Sequence, residues 1–289
     1  MEISKLKENA VHGTTEFPLA VYKWEGVGSY SVPLHWHKET EVISLESGTF
    51  RLSVNMKELV VTAPALIFVG SEEIHSIWLE EGGREQAVVF DVNMLSFEYY
   101  DGVQHKMIRP LVDKKIRLPL IIDEKNSFWN ELSQIYRRIY ENAVKKDLSA
   151  YLKVKAELYH MLACLYENGC LENVKDEQAS DSYKIDTMKR VLTFIHDNYG
   201  RKIQIDEIAA VAGMNAQYFC RYFKRTTGKT VTEYINEIRI NRATQELLET
   251  DDKIIEIAMR CGYDNMGYFI RRFFQLKQMT PSEYRKKSK

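Results

Sequence analysis

A chain of 289 residues with 45% hydrophobic and 28% charged content has room for two ordinary domains and the composition of a soluble globular protein, so disorder and fibrous folds are not expected. No run of eighteen apolar residues occurs, and the opening "MEISKLKENAVHG" lacks the apolar core and cleavage site of a signal peptide, which predicts a cytoplasmic protein with no membrane partner. The net charge of −1 hides an asymmetry: residues 184–289 hold 20 Lys+Arg against 13 Asp+Glu, a balance of +7, while the rest carries −8, so a polyanion is the expected partner of the C-terminal third alone.

From Leu19 to about Val92 the chain is a series of short β-prone runs, "LAVYKW", "EVISL", "TFRLSV", "ELVVTA", "ALIFVG", "HSIWL" and "QAVVFDV", separated by Gly, Pro, Asn and Glu. Closely spaced short strands predict an antiparallel sandwich or barrel. The period then changes: Phe128, Leu132, Ile135 and Ile139 step by 4, 3 and 4, as do Val154, Leu158, Met161 and Leu165, predicting two amphipathic helices. Such a pair serves either as a dimer interface or as packing against the barrel. The polar stretch "ENVKDEQASDSYK" reads as a linker. The four cysteines, Cys164, Cys170, Cys220 and Cys261, fall on helix-like segments without C-x-x-C spacing and read as ordinary thiols.

Beyond the linker a repeat of about fifty residues stands out. Ile208, Ala209 and Gly213 match Ile257, Ala258 and Gly262 at an offset of 49. Tyr218, Phe219, Arg221, Phe223, Thr230, Glu233 and Tyr234 match Tyr268, Phe269, Arg271, Phe273, Thr280, Glu283 and Tyr284 at an offset of 50. One supersecondary unit is used twice. A short helix with a small Ala, a Gly for the turn and a second helix with aromatic anchors is the sequence form of a helix-turn-helix. On the second helix Phe219 and Phe223 should face the core, while Gln217, Arg221 and Lys224, at i, i+4 and i+7, can face a groove of DNA. In the second unit Met266 and Arg271 lie near the equivalent face, with Asn265 at the helix start. Arg can bind guanine O6 and N7 bidentately, and Gln adenine; Arg225 and Arg272 are assigned to phosphates. Between the units, "TVTEYINEIRINRATQELLET" predicts a helix of about twenty residues and roughly 30 Å, close to the roughly 34 to 36 Å that separates successive major grooves on one face of DNA.

From residue 186 to 289, "IDEIAAVAGMNAQYFCRYFKRTTG", "RINRA", "IIEIAMRCGYDN" and "MTPSEYRK" resemble the double helix-turn-helix domain of the AraC/XylS family of bacterial transcription regulators. The resemblance implies an operator-binding regulator and a homodimer, leaning towards an activator of carbohydrate-metabolism genes with RNA polymerase as a partner. It puts Asn215, Ala216, Gln217, Cys220 and Arg221 in the first helix, and Asn265, Met266, Gly267 and Arg271 in the second, at or beside the base-reading positions, with Lys224, Arg225 and Arg272 in support. The second unit departs from the family pattern at Phe274 and Gln278, and Gly267 and Ile270 offer little hydrogen bonding, which predicts weak sequence reading by this half and a larger share of phosphate contacts.

The front half resembles the cupin-like effector domain that many of these regulators carry: His35-x-His37-x3-Glu41-x6-Gly48 is similar to the first cupin motif, and His75 stands where the second motif's histidine would, although Gly70 and Glu72 replace its usual Pro and Gly. On one strand, residues 35, 37 and, if it runs on, 41 point to the barrel interior, and Trp36 by parity outward. Three imidazoles and a carboxylate permit a divalent metal. The same groups suit the hydroxyls of a sugar-like effector in a pocket walled by Trp24, or form a structural polar cluster. No other cofactor is expected. His160 and His196 read as structural, and His12 and His105 as isolated. The expected fold is therefore two-domain α+β: a sensing barrel at 1–125, a helical dimerisation segment at 126–171, a linker at 172–183 and an all-α DNA-binding domain at 184–289. The alternative is a cupin metalloenzyme with an appended nucleic-acid-binding domain; a regulator needs a sensor, whereas a catalyst does not need the basic third, so no enzymatic activity is expected.

Overall fold

The computed structural model describes residues 12–14, 16–99, 101–174 and 179–288. Two compact units divide between Ala179 and Ser180. In the first, strands β1 (Leu19–Gly26), β2 (Tyr30–His35), β3 (Thr40–Ser47), β4 (Thr49–Val54), β5 (Lys57–Thr62), β6 (Ala65–Val69), β7 (His75–Leu79) and β8 (Gly83–Phe90) precede a one-turn helix α1 (Arg109–Val112), then β9 (Ile116–Arg117), β10 (Ile121–Asp123), the helices α2 (Trp129–Ala143) and α3 (Leu148–Glu167), and β11 (Glu172–Asn173). All pairings are antiparallel, in a five-stranded sheet of order β1-β8-β3-β6-β10, a four-stranded sheet β2-β7-β4-β5 and a short β11-β9 pair.

The expected antiparallel β-fold with following helices is what forms, and it carries two cores. One face of the five-stranded sheet joins the smaller sheet through Ile43, Leu45, Phe50, Ile67, Ile77 and Ala87. Its other face, through Val42, Leu66, Phe68 and Val88, takes Leu132, Ile135 and Ile139 of α2 and Val154, Leu158, Met161 and Leu165 of α3. Covering on both faces explains why β6 is buried at every position and reads as a continuous apolar run. Of the two roles open to the helix pair, packing on the barrel accounts for the periodic residues.

Two expectations change. The polar run was read as a linker over 172–183, but Glu172–Asn173 pairs with Ile116–Arg117 and helix α4 (Ala179–Asn198) begins inside it; a polar composition does not prevent a helix whose later turns, Met188, Val191, Leu192 and Ile195, reach a core. Residues 175–178 lie outside the described ones. Trp36, expected to face outward, is buried at 5% exposure. Parity holds only within one strand, and here β2 ends at His35 and the chain bends at 38–39 before β3 starts.

The second unit is helical: α4, α5 (Ile205–Val211), α6 (Ala216–Thr227), α7 (Val231–Glu249), α8 (Ile254–Arg260), α9 (Met266–Lys277) and α10 (Pro281–Ser288). Among the described residues no helix is long and apolar enough to cross a membrane. The repeat matches are structural. Phe219 meets Phe223 at 5.7 Å and Phe223 meets Tyr234 at 5.6 Å; Phe269, Phe273 and Tyr284 repeat the arrangement at 5.7 Å each. These four phenylalanines are fully buried, and truncating one to Ala costs about 3–5 kcal/mol. Thr230 and Glu233 form a capping box at the start of α7, and Thr280 and Glu283 make the same reciprocal bonds at α10. Gly262 turns at φ 82°, where an added Cβ would lie 2.4 Å from the Tyr199 carbonyl oxygen.

Candidate functional site

Helices α6 and α9 present the same frame to solvent. Each starts from an asparagine cap: the Oδ1 of Asn215 accepts from the Tyr218 N–H at 2.8 Å and that of Asn265 from Tyr268 at 2.9 Å. Those oxygens are committed, which leaves each cap its amide N–H groups for a groove. Away from the buried Phe219 and Phe223, α6 exposes Gln217, Arg221, Lys224 and Arg225, with Ala216 and Cys220 half-buried. On α9, Gly267 and Arg271 are exposed and Met266 half-buried. Arg272, assigned to phosphate, is already engaged: its Nε donates to the Tyr268 hydroxyl at 3.0 Å, and that hydroxyl accepts from Asn236 of α7 at 3.1 Å. Tyr263 donates to the Asn236 Oδ1 at 3.0 Å, so a polar chain, buried at Tyr263 and Asn236 and half-buried at Tyr268 and Arg272, fixes α9 against the connecting helix. The connection, α7, is 19 residues long, about 28 Å at 1.5 Å per residue. It seats Ile240, Ala243 and Leu247 on the core of the second helix-turn-helix.

At one end of the barrel His35, His37 and His75 converge, with one ligand atom of each within 4.8 Å of the others. Every Nδ1 is turned to a backbone carbonyl: His35 to Pro33 at 2.9 Å, His37 to Glu39 at 3.0 Å and His75 to Glu73 at 2.9 Å. A carbonyl only accepts, so each Nδ1 carries a proton and each Nε2 is left facing the centre, where with a proton it donates to a carboxylate and without one it can ligate a metal. Glu41 joins them, its Oε2 3.0 Å from Nε2 of His75 and 3.6 Å from Nε2 of His37. Burial alone would push the Glu41 carboxyl up, but the hydrogen bonds and charge of His37 and His75 outweigh it and hold it well below the usual carboxylate range. Three imidazole nitrogens and one carboxylate oxygen, with Nδ1–H bonds that fix the rings, fit a first-row divalent ion. Glu41 reaches the centre although strand β2 does not run on, because β3 sets it opposite Val69 and Val89.

Trp24 is not brought to this centre. It pairs with Glu85, four residues along β8 from Val89, about 13 Å at 3.3 Å per residue, and stacks on Tyr30 at 4.7 Å. Ile43, Ile67 and Ala87 fill the barrel between. A cavity of about 390 Å³ lies elsewhere in this unit, lined by Phe17, Leu19, Val21, Asn142, Lys146 and Tyr151 among others. Two residues escaped the sequence reading. His12, taken as isolated, packs its ring 5.0 Å from that of His37 and bonds through Nδ1 to the Tyr22 hydroxyl at 2.8 Å; no local spacing could link positions 25 apart. Glu85 is buried at 4% exposure, and burial, opposed by a Tyr30 hydrogen bond and aided by the charge of Glu41, raises its carboxyl to about 7. Its place in the polar stretch "GREQ", residues 83–86, gave no sign of this.

A family model described as a helix-turn-helix domain matches residues 208–287. The TetD protein of transposon Tn10 from Escherichia coli is 35% identical over 121 residues, covering 42% of this chain and 87% of that protein. The chain belongs to the AraC-type family of helix-turn-helix transcription regulators. It is likewise similar to the uncharacterized HTH-type transcriptional regulator YdeC of Bacillus subtilis, 28% identical over 294 residues and 97% of this chain and 96% of that one. The melibiose operon regulatory protein of Escherichia coli (strain K12) is 33% identical over 101 residues, 35% of this chain and 33% of that protein. As an AraC-type regulator the chain is a transcription factor and not an enzyme, so the metalloenzyme alternative falls.

Proposed function

We propose that this AraC-type regulator is a ligand-responsive homodimer that binds its operator through α6 and α9 in successive major grooves and activates carbohydrate-metabolism genes with RNA polymerase. The two helix-turn-helix units on one 19-residue helix, each with an exposed arginine at the same position, carry the DNA reading. Asn215, Ala216, Gln217, Cys220, Arg221 and Lys224 serve the first half-site, Asn265, Met266, Gly267 and Arg271 the second, and Arg225 a phosphate. Arg272 serves mainly to hold α9 on α7. The carbohydrate assignment rests on the likeness to the melibiose regulator alone.

The N-terminal unit is the sensor. His35, His37, His75 and Glu41 hold one divalent ion, which ties β2, β3 and β7 together at that end of the barrel. An organic effector has its room in the cavity beside β1 and the α2–α3 turn, whose volume falls in the range of about 300–1,000 Å³ for small-molecule sites; Lys146 is its charged group. Leu148, Leu152 and Tyr166 lie along the outward side of α3, at 78%, 69% and 63% exposure, and supply the dimer contact.

The experiment is fluorescence anisotropy on a duplex selected from a random library by the full chain. Arg221→Ala should weaken binding by about 5- to 150-fold, the ~1–3 kcal/mol of one bidentate base contact, and relax base choice in one half-site. Unchanged affinity and unchanged preference would remove α6 from the major groove.

A further inference from the structure

The repeat makes the two reading helices comparable position by position. At an offset of 50, Gln217, Cys220, Arg221 and Lys224 of α6 correspond to Gly267, Ile270, Arg271 and Phe274 of α9. At 100° per residue these four positions fall within one 100° sector, opposite the buried Phe269 and Phe273. On α6 the sector carries hydrogen-bonding and charged groups. On α9 it carries an arginine between two large apolar side chains, Ile270 at 39% and Phe274 at 50% exposure. Packing does not call for them, because the core side of α9 is already closed by the two fully buried phenylalanines. Nor does packing force the glycine: a Cβ at Gly267 would meet only the Asn265 Oδ1, at 3.4 Å. A missing side chain in the first turn lets the helix start come closer to whatever the sector faces.

The major-groove edge of DNA presents one apolar group, the C5-methyl of thymine, and apolar side chains recognise it by contact. We propose that the second helix reads its half-site through thymine methyl groups, contacted by Ile270 and Phe274, beside a guanine held by Arg271. Weak hydrogen bonding in this half is then a different mode of reading and not a loss of reading. The charge of the flanking Arg271 and the position of the sector on a helix that starts from a free-amide cap favour DNA over an apolar protein surface as its occupant. This inference rests on the proposal that both helices enter DNA.

The test uses the full-length protein and the duplexes it selects. Arg221→Ala and Arg271→Ala, each of which relaxes one half, assign the half-sites. Every thymidine in the second half is then replaced by 2′-deoxyuridine, which removes the methyl and leaves all hydrogen-bonding groups in place. Each contacted methyl should be worth about four-fold in affinity, the ~0.8 kcal/mol of one buried methyl or methylene group. Phe274→Ala and Ile270→Ala should show the same loss on the thymidine duplex and little further loss on the deoxyuridine duplex, as expected of two changes removing one contact. Both residues are exposed, and far-ultraviolet circular dichroism checks that the variants stay folded. A second half-site without thymine, or equal affinity for the deoxyuridine duplex while the first half is still read, overturns this inference alone and turns the sector into a protein-docking surface. Failure to select any sequence overturns the DNA-binding proposal beneath it.

Discussion

Divalent metal should stabilise the sensor unit by an amount that the histidine centre sets. The perturbation is the addition of Zn²⁺, Ni²⁺ or Mn²⁺ to protein stripped with chelator, and the probe is intrinsic fluorescence, since all four tryptophans, Trp24, Trp36, Trp78 and Trp129, lie in the first unit. An ion present at 100 times its Kd, bound only by the folded form, adds about 2.7 kcal/mol. In a unit of this size each kcal/mol moves the midpoint by about 2–4 °C, so the rise should be about 5–11 °C. His75→Ala removes one nitrogen and the hydrogen bond to Glu41 and should abolish the rise. Glu85→Gln, buried in the same barrel but at the Trp24 end, should keep it. A midpoint indifferent to every ion, or a rise that survives His75→Ala, would refute the reasoning and return the cluster to a structural role.

Three further outcomes follow from named groups. Burial holds His196 neutral with its imidazole pushed down to about 4, so the unfolded chain binds more protons between that value and about 6.5; stability is full above pH 6.5 and lost as pH falls towards 4, by up to about 3 kcal/mol, and His196→Leu should flatten that part of a denaturation-versus-pH curve. Gln278 caps α9 in the left-handed region at φ 54°, where α6 of the first helix-turn-helix has Gly228 at φ 71°; Gln278→Gly should gain about 0.5–1 kcal/mol in chemical denaturation, the relief of left-handed strain less the entropy of a glycine. Leu152→Glu, on the outward side of α3, should convert a dimer to a monomer in light scattering with little change in the midpoint, because Leu152 has 69% of its surface exposed.

The second unit was open to reading because its repeat is written in residues that must be where they are. The phenylalanine pairs, the threonine-glutamate boxes and the turn glycines serve packing, capping and backbone geometry, and each of these has a fixed offset. The barrel was open only in part. His35, His37 and Glu41 are close in sequence, and a local motif finds them; His75 needed a family resemblance, and His12 and Glu85 needed the fold. Trp36 was misplaced because side-chain alternation ends where a strand ends, and the bend at 38–39 has no Gly or Pro to announce it. The linker was overdrawn because its polar residues 179–184 belong to a helix whose apolar face comes later. Trp24 was assigned to a ligand wall for its ring, although its register with Glu85 puts it at the far end of the strands.

Divergence between the two halves is confined to positions that the scaffold leaves free. The core and the caps of α6 and α9 superpose in sequence, whereas residues 217, 220 and 224 differ in chemistry from 267, 270 and 274. A change at a solvent-facing helix position usually moves stability by no more than about 0.5 kcal/mol, while one base contact is worth about 1–3 kcal/mol. Substitution there therefore alters recognition several-fold more than it alters folding. The polar chain through Asn236, Tyr263, Tyr268 and Arg272 keeps α9 seated on α7 whichever side chains face outward. One unit can consequently read by hydrogen bonds and the other by apolar contact on the same frame, and an operator for such a protein need not have two similar halves.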